Sequence, residues 1–281
     1  MIMWIVSSLL ALAGTVATAL LKGFSGFEWF WTPLLFAGYL AAVIALLFIC
    51  ALLVTAPVNL DKPVNEPSAF YTFLYNCFDA FLCSAARIKV RIHGLENLDK
   101  DKKYLFVYNH RSNFDPMIIS RYFRRYKILM ISKPQNFRKP LAGKCIHKAG
   151  FMPIDREDDR EALKTVLKAA KYLGGGYSVG VAPEGTRNKR GTDLLPFRNG
   201  CFKIAQKAKA PVCVLTLNGT EKVKKNFPLK RTLVYIDVSV IGAEEVAAEH
   251  TYDTGEKVRR EMTRRIEERN GVSLATPSDV K

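Results

Sequence analysis

Residues 104–115 read YLFVYNHRSNFD, an apolar run that passes directly into a polar loop ending on an acid. A short apolar run that is rich in aromatic and branched side chains and bounded by polar residues is typical of a buried strand. Ligands of open α/β sheets bind beyond the carboxyl ends of the strands, and His110 and Asp115 fall at such an end. The segment therefore predicts a strand and the place of a functional site.

Strand-like and helix-like segments alternate along the rest of the chain. The predicted strands are Ile88–His93, Tyr104–Tyr108, Ile128–Ser132, Ser178–Val181, Val212–Leu217 and Leu233–Val240. The predicted helices are residues 70–86, Glu161–Leu173, Arg198–Lys209 and a charged segment of about 254–270. We expect the last helix to close at Asn270-Gly271, with a loose tail after Ser273. This alternation predicts an α/β fold, with a mostly parallel central sheet flanked by helices.

The first 56 residues differ in composition from the rest of the chain. They contain one cation, Lys22, and one acid, Glu28, so residues 57–281 carry the whole formal net charge of +16. Residues 2–21 and 30–56 are uncharged, and about 20 helical residues span the ~30 Å hydrocarbon core of a bilayer. We expect a membrane helix hairpin over residues 1–60 and a second domain over 61–281. A cleaved signal peptide is the alternative for the first run, although no Lys or Arg precedes its apolar core.

Small residues recur every fourth position in both uncharged runs. The two sets are Ser7, Ala11 and Thr15 in the first run and Ala37, Ala41 and Ala45 in the second. Each set lies on one helix face, where backbones approach closely in lipid, so we expect these faces to form a tight antiparallel hairpin. Small residues are also simply common in membrane helices, and this alternative stays open. A hairpin returns the chain to its starting side, and the basic domain favours the cytoplasm.

The Pro-rich segment 61–67 separates the apolar residues from the basic domain. The helix predicted after it, over residues 70–86, has an aromatic face. That face either packs on the domain, which we favour, or lies in the lipid interface.

The sequence gives little support to metal or nucleic-acid binding. Six cysteines form no Cys-x-x-Cys pair, and four histidines lack the close spacing of a zinc site. We therefore expect free thiols in a reducing compartment, no metal and no bound cofactor. Cations are spread along the chain and no recognition motif occurs, so we expect no nucleic-acid partner.

His110 and Asp115 could act together as a general base, because a carboxylate can orient an imidazole and stabilise its charge. A substrate hydroxyl would then be the nucleophile. The alternative is structural: Asp115 precedes Pro116 and would serve as an N-cap, with His110 an ordinary loop residue. One carboxylate could also fill both roles.

A second polar segment, residues 181–188 (VAPEGTRN), also follows a predicted strand. Gly185 would let the backbone turn and offer an N–H near an oxyanion, and Arg187 has a planar fork suited to phosphate. Arg156 ends the apolar segment 150–156, and Lys133 follows another strand. Each cation alone is typical of a solvated surface, but several at strand ends beside a His-carboxylate pair indicate a phosphorylated substrate.

The order of these motifs resembles the 1-acyl-sn-glycerol-3-phosphate acyltransferase family over roughly residues 85–220. The motifs are Asn-His-x-Ser-x-x-Asp at 109–115, Gly-x-x-x-Ile-x-Arg at 150–156, Pro-Glu-Gly-Thr-Arg at 183–187, Phe-x-x-Gly at 197–200 and Ala-Pro-Val at 210–212. The chain departs from the family pattern at Pro153, Ala182 and Asn188, which puts the fine specificity for the acceptor in doubt.

The resemblance implies a membrane-bound enzyme of phospholipid biosynthesis. Such an enzyme moves a fatty acyl group from an acyl thioester, acyl-CoA or acyl carrier protein, to the sn-2 hydroxyl of lysophosphatidate and gives phosphatidic acid. His110 would be the general base and Asp115 its orienting partner. The implied acceptor site consists of Lys133, Arg156, Glu184, Gly185, Thr186 and Arg187.

Two other functions stay open at this point. One is acyl transfer to another acceptor, such as a different lysophospholipid, glycerol 3-phosphate or a lyso-aminolipid. The other is a non-catalytic basic module that binds anionic membranes. The acyl donor, the acyl-chain preference and the oligomeric state do not follow from the sequence. We expect a cell-membrane protein, integral or deeply anchored, whose catalytic domain faces the cytoplasm.

Overall fold

The structure, a computed structural model, describes residues 2–189, 191 and 193–274. The chain forms two compact units. The hairpin unit contains the residues up to Phe81 together with Phe137–Ala149, and the sheet unit contains Leu82–Asn136 and the residues from Gly150 onward. The units therefore do not divide at residue 60, where we predicted the domain boundary.

A seven-stranded sheet lies at the centre of the sheet unit. Its strands are β1 (Ile88–His93), β2 (Leu105–Tyr108), β3 (Ile128–Ser132), β4 (Met152–Pro153), β5 (Ser178–Val181), β6 (Val212–Asn218) and β7 (Thr232–Ile241). They are ordered β1-β7-β6-β2-β5-β3-β4. Within this sheet the pair β6 and β7 is antiparallel and the other neighbouring pairs are parallel. The predicted mostly parallel sheet is confirmed.

The short strand β4 was not predicted from the sequence. Met152 and Pro153 pair in parallel with Ile131 and Ser132 of β3, at the edge of the sheet. Proline has no backbone N–H to donate and is tolerated at a sheet edge. A two-residue strand containing proline has no recognisable period, which is why the sequence does not reveal it.

Eleven helices accompany the strands in the described part of the chain. They are α1 (Ile2–Lys22), α2 (Thr32–Thr55), α3 (Ala69–Ala85), α4 (Asp115–Tyr122), α5 (Pro134–Phe137), α6 (Ala142–Lys148), α7 (Asp159–Gly174), α8 (Lys203–Ala208), α9 (Val223–Asn226), α10 (Ala243–Ala248) and α11 (Thr251–Leu274). The predicted helices are present, but the helix predicted at Arg198 begins with a 3₁₀ turn over Asn199–Phe202. The predicted stop at Asn270-Gly271 is wrong, because Gly271 keeps a helical conformation. The predicted tail beyond Leu274 lies outside the described residues.

The core of the sheet unit surrounds its central strands. Leu105 and Val107 of β2 and Val179 of β5 are fully buried. Helix α7 adds Val166 and Leu173 to this core, and burial of such a side chain stabilises a fold by roughly 1.5–3 kcal/mol. Asp158 caps α7, since its carboxylate accepts from two N–H groups of the first turn.

The parallel pairing of β2 with β5 determines where the polar loops lie. Val107 is in register with Val181, so both strands end at the same edge of the sheet. The loop of residues 109–114 and the segment of residues 182–188 therefore begin side by side.

Helices α1 and α2 pack against each other in the hairpin unit. The predicted small face of α1 is confirmed, since Ser7, Ala11 and Thr15 are buried. The predicted face of α2, Ala37, Ala41 and Ala45, is wrong, because these residues are exposed.

Helix α2 instead places a large side chain against Gly14 and Thr18 of α1, two small residues outside the predicted set. The ring of Tyr39 lies over Gly14, and its hydroxyl is 2.7 Å from Oγ1 of Thr18. The spacing of small residues correctly identified the face of α1 that is covered, but not the residues that cover it. Both α1 and the α2 segment are long and apolar enough, by length and composition alone, to cross a membrane.

Two further elements belong to the hairpin unit. Phe81 of α3 stacks on Trp4 with ring centroids 4.7 Å apart, whereas Phe70 and Phe73 are exposed. The aromatic face of α3 therefore packs on α1 in part and is open in part. From α6, Lys144 donates through Nζ to the carbonyl of Ala56, at 2.7 Å, just beyond the end of α2.

Replacement of Gly14 by leucine should loosen the hairpin. A Cβ at this position would already lie 3.0 Å from the ring of Tyr39, and a longer side chain has to displace it. We expect Gly14→Leu to lower the melting temperature in detergent by several degrees. Gly38→Leu is the matched control, because a Cβ there meets nothing within 4 Å. Equal melting temperatures for the two variants would contradict the observed packing.

Candidate active site

The site begins with Asn109, which fixes the first residue after β2. Its Nδ2 donates to the carbonyl of Leu217 at 3.0 Å, and its Oδ1 accepts from the N–H of Leu217 at 2.7 Å. Asn109 is fully buried, so this paired hydrogen bond joins β2 to the end of β6 in the absence of water. The backbone entering His110 is thereby held in place.

His110 and Asp115 form the predicted pair. Nδ1 of His110 lies 2.9 Å from Oδ2 of Asp115. The carboxylate is fully buried, whereas the imidazole is 21% exposed. An ionised carboxylate only accepts hydrogen bonds, so it holds the proton on Nδ1 and leaves Nε2 with a free lone pair. This is the geometry that a general base requires.

The predicted N-cap role of Asp115 is wrong. Helix α4 starts at Asp115 itself and has Phe114 as its N-cap, which forms no side-chain cap bond. Oδ2 of Asp115 points back to the preceding loop and accepts from the N–H groups of Arg111 and Ser112, both at 2.7 Å. The carboxylate thus binds two loop N–H groups instead of the N–H groups of the first helical turn. These hydrogen bonds fix it beside the imidazole.

Glu184 is also directed at the backbone. Its Oε1 accepts from the N–H of His110 at 2.8 Å, and its Oε2 accepts from the N–H of Leu195 at 3.0 Å. Burial raises the pKa of Glu184, while these two hydrogen bonds act in the opposite direction. We predicted Glu184 in the acceptor site, and the structure shows both of its oxygens bound to amides.

Gly185 turns the chain after Glu184. Its φ is +69°, a left-handed backbone conformation that residues with a Cβ rarely adopt. A Cβ here would lie 3.3 Å from Cδ and Nε of Arg198. The N–H of Gly185 donates to the carbonyl of Ala182 at 3.0 Å, so the turn already uses the N–H that we considered for the oxyanion.

Cations gather beside this turn. Nζ of Lys133 lies 3.4 Å from Oγ1 of Thr186. Burial, and then the charges of Arg156, Arg187 and Lys189, lower the pKa of Lys133. The structure therefore brings together the four predicted residues Lys133, Arg156, Thr186 and Arg187.

Two cations join those that we predicted. They are Lys189 and Arg198, and the charge of Arg198, after burial, lowers the pKa of Arg156. The Phe-x-x-Gly motif, which contains Arg198, was the sequence signal that could have identified it. We call Lys133, Arg156, Arg187, Lys189 and Arg198 the cation cluster. Within the described ranges, its members form no ion pair with an acid.

A cavity of about 390 Å³ adjoins the cluster. Ile131, Ile154 and Val166 line its apolar part, and Arg156 and Arg198 also line it. Mutually repelling cations beside an apolar space are suited to an amphipathic anion. Across the residues that the structure covers, no group of three or more His, Cys, Asp or Glu side chains could hold a metal ion.

The model of the Acyltransferase family matches residues 89–218. This range contains His110, Asp115 and the whole cation cluster. Over these residues the chain resembles the acyltransferase family. This match supports the predicted family and the predicted enzyme class.

Several curated relatives are named 1-acyl-sn-glycerol-3-phosphate acyltransferase. The chloroplastic protein BAT2 of Brassica napus is 38% identical over 136 residues, which are 48% of this chain and 39% of that protein. The protein of Borreliella burgdorferi is 31% identical over 155 residues, or 55% of this chain and 60% of its own length. The Bacillus subtilis protein is 28% identical over 158 residues, which are 56% of this chain and 75% of that protein. The matched region thus spans about two fifths of the Brassica relative.

One similar solved structure is the 1-acyl-sn-glycerophosphate (LPA) acyltransferase PlsC from Thermotoga maritima. It matches with a TM-score of 0.57 and 22% identity, over 71% of this chain and 79% of that one. This likeness confirms the predicted acyltransferase fold.

Asp115→Ala should remove the His110-Asp115 pair and destabilise the loop around it. The change leaves the N–H groups of Arg111 and Ser112 without their acceptor, and a buried unpaired donor costs roughly 1–3 kcal/mol. We expect a lower free energy of unfolding, measured by denaturant titration in detergent. The exposed Asp253→Ala is the control. An Asp115→Ala protein as stable as this control would show that the carboxylate does not organise the loop.

Proposed function

We propose that this acyltransferase moves a fatty acyl group from an acyl thioester to the sn-2 hydroxyl of 1-acyl-sn-glycerol 3-phosphate, giving phosphatidic acid. The observation that carries the proposal is a His-Asp pair, with His110 Nδ1 2.9 Å from Asp115 Oδ2, in the same unit as the cation cluster. The names of the relatives support this acceptor.

The proposed reaction starts at Nε2 of His110. This atom takes the proton of the sn-2 hydroxyl as the oxygen attacks the thioester carbonyl, and the negative charge of Asp115 stabilises the imidazolium. The tetrahedral intermediate then collapses, the C–S bond breaks, and the imidazolium returns its proton to the departing sulfur. The products are an ester and a free thiol, and His110 is neutral again.

The cation cluster would hold the acceptor by its phosphate. Arg156, Arg187 and Lys133 offer charged donors, and Thr186 offers a hydroxyl beside Lys133. A phosphate bound there places the glycerol hydroxyl at a fixed distance from His110, and such orientation lowers the barrier without new chemistry. It also relieves the repulsion among the cations.

The helices α1 and α2 would anchor this enzyme in the cell membrane, with the catalytic domain on the cytoplasmic side. Acceptor and product are both lipids, so an anchored enzyme can exchange them without moving either through water. The basic domain would attract anionic headgroups, at about 1 kcal/mol for each well-placed cation. The donor is acyl-CoA or acylated acyl carrier protein, since both are thioesters on an acidic carrier that suits a basic surface.

The proposed reaction can be tested by thiol release from purified protein given lysophosphatidate and an acyl thioester. We expect His110→Ala to reduce turnover by about 10²–10⁴-fold, because no other group replaces the base. His250→Ala, which removes an exposed histidine, should retain normal turnover. Full activity of His110→Ala would refute the mechanism. Mass spectrometry of the products from a pool of lysolipids and glycerol 3-phosphate would test the acceptor.

Arg187→Ala should mainly weaken binding of the acceptor. Loss of a hydrogen bond to a charged group costs roughly 1.5–3 kcal/mol, so KM for lysophosphatidate should rise about tenfold or more while kcat changes less. The exposed Arg124→Ala is the matched control and should leave both constants unchanged. An unchanged KM in Arg187→Ala would remove this residue from the phosphate site.

A further inference from the structure

The peptide groups on both sides of His110 are held by one short segment. The N–H of His110 donates to Oε1 of Glu184 at 2.8 Å, and its carbonyl accepts from the N–H of Asn188 at 2.7 Å. Residues 184–188 therefore hydrogen-bond to the backbone of His110 on both sides, while Asp115 hydrogen-bonds to its side chain. Each contact acts on a different part of the same residue.

The other oxygen of Glu184 reaches a third segment. Oε2 accepts from the N–H of Leu195 at 3.0 Å, and Nδ2 of Asn188 donates to the carbonyl of Asp193. These contacts join residues 193–195 to residues 184–188, which include Arg187. One buried carboxylate thus connects the loop of the base with the loop of the phosphate cations.

Glu184 is poorly placed to bind a substrate. It is only 5% exposed, and each of its oxygens already accepts a backbone N–H. A carboxylate would also repel a phosphate. Hydrogen bonds from N–H groups to a charged acceptor are among the strong ones in proteins, so this carboxylate is well suited to fixing two loops.

We propose that Glu184 is a positioning residue, which keeps His110 at a fixed distance from the loop that binds the acceptor's phosphate. This inference rests on the proposed function of the site. A misplacement of about 1 Å in a catalytic group can reduce the rate about 10²-fold, so the connection acts on turnover. Binding of the acceptor depends on the cations themselves and changes little.

Steady-state kinetics of Glu184→Gln and Glu184→Ala distinguish positioning from substrate binding. Glutamine keeps one acceptor oxygen but opposes one of the two N–H groups with its own NH₂ donor. We expect kcat to fall at least tenfold in Glu184→Gln and further in Glu184→Ala, with KM for lysophosphatidate within about threefold of normal. Glu267→Gln, at an exposed position of α11, is the matched control. A raised KM with normal kcat would overturn the proposal and make Glu184 an acceptor ligand.

A second measurement does not depend on the substrate. Diethyl pyrocarbonate modifies imidazole, and mass spectrometry of peptides gives the rate separately at His110 and at the exposed His250. We expect either Glu184 variant to change the rate at His110 at least threefold and to leave the rate at His250 unchanged. An unchanged rate at His110 would overturn the proposal, and changes at both histidines would show general unfolding instead of positioning.

The two measurements separate the two proposals. If the wild-type protein releases no thiol from any thioester and lysophosphatidate, but the reactivity of His110 responds to Glu184, the proposed function fails and the positioning role stands. If thiol release is normal and His110 does not respond, the function stands and the positioning role fails.

Discussion

The parallel pairing of β2 with β5 is the constraint on which the rest of the site depends. Because Val107 and Val181 are in register, two loops that are far apart in sequence start at one edge of the sheet. One loop brings the imidazole and its carboxylate, and the other brings Glu184 and Arg187. A slip of either strand would separate His110 from Glu184 and Arg187, and the buried apolar strands prevent such a slip.

The site combines groups that stabilise the fold with groups that oppose it. Asn109, Asp115 and Glu184 are buried polar side chains whose hydrogen bonds go mainly to the backbone, so they hold the loops in one conformation. The cation cluster acts in the opposite sense, because several charges of one sign lie together and, among the described residues, none of them forms an ion pair with an acid. A fold can retain such repulsion where a rigid backbone supports it, and binding of an anion would relieve the repulsion.

The sequence predicts the elements well where one local pattern decides them. The strands of the sheet appear as apolar runs, and α7 appears as an amphipathic period that ends near glycine. Contacts between distant segments could not be predicted. The spacing of alanines in α2 does not show that Tyr39 takes the position over Gly14. Asp115 has the sequence context of an N-cap, yet the amides of Arg111 and Ser112 compete successfully for its carboxylate. The amides that bind Glu184 come from His110 and Leu195, and no local rule connects these residues.

The path of the chain between Lys133 and Arg156 has a consequence for how the enzyme can be divided. After β3 the chain leaves the sheet unit, contributes Phe137–Ala149 to the hairpin unit, and returns through β4. Lys144 in this excursion donates to the carbonyl of Ala56, just beyond the second apolar helix. The apolar helices are therefore part of the same compact unit as Phe137–Ala149, and their removal would break contacts within that unit. Cutting the chain at residue 60 would take the carbonyl of Ala56 away from Lys144 and separate Phe137–Ala149 from the apolar helices of its own unit. Lys133 precedes this excursion and Arg156 follows it, so both ends of the excursion enter the cation cluster.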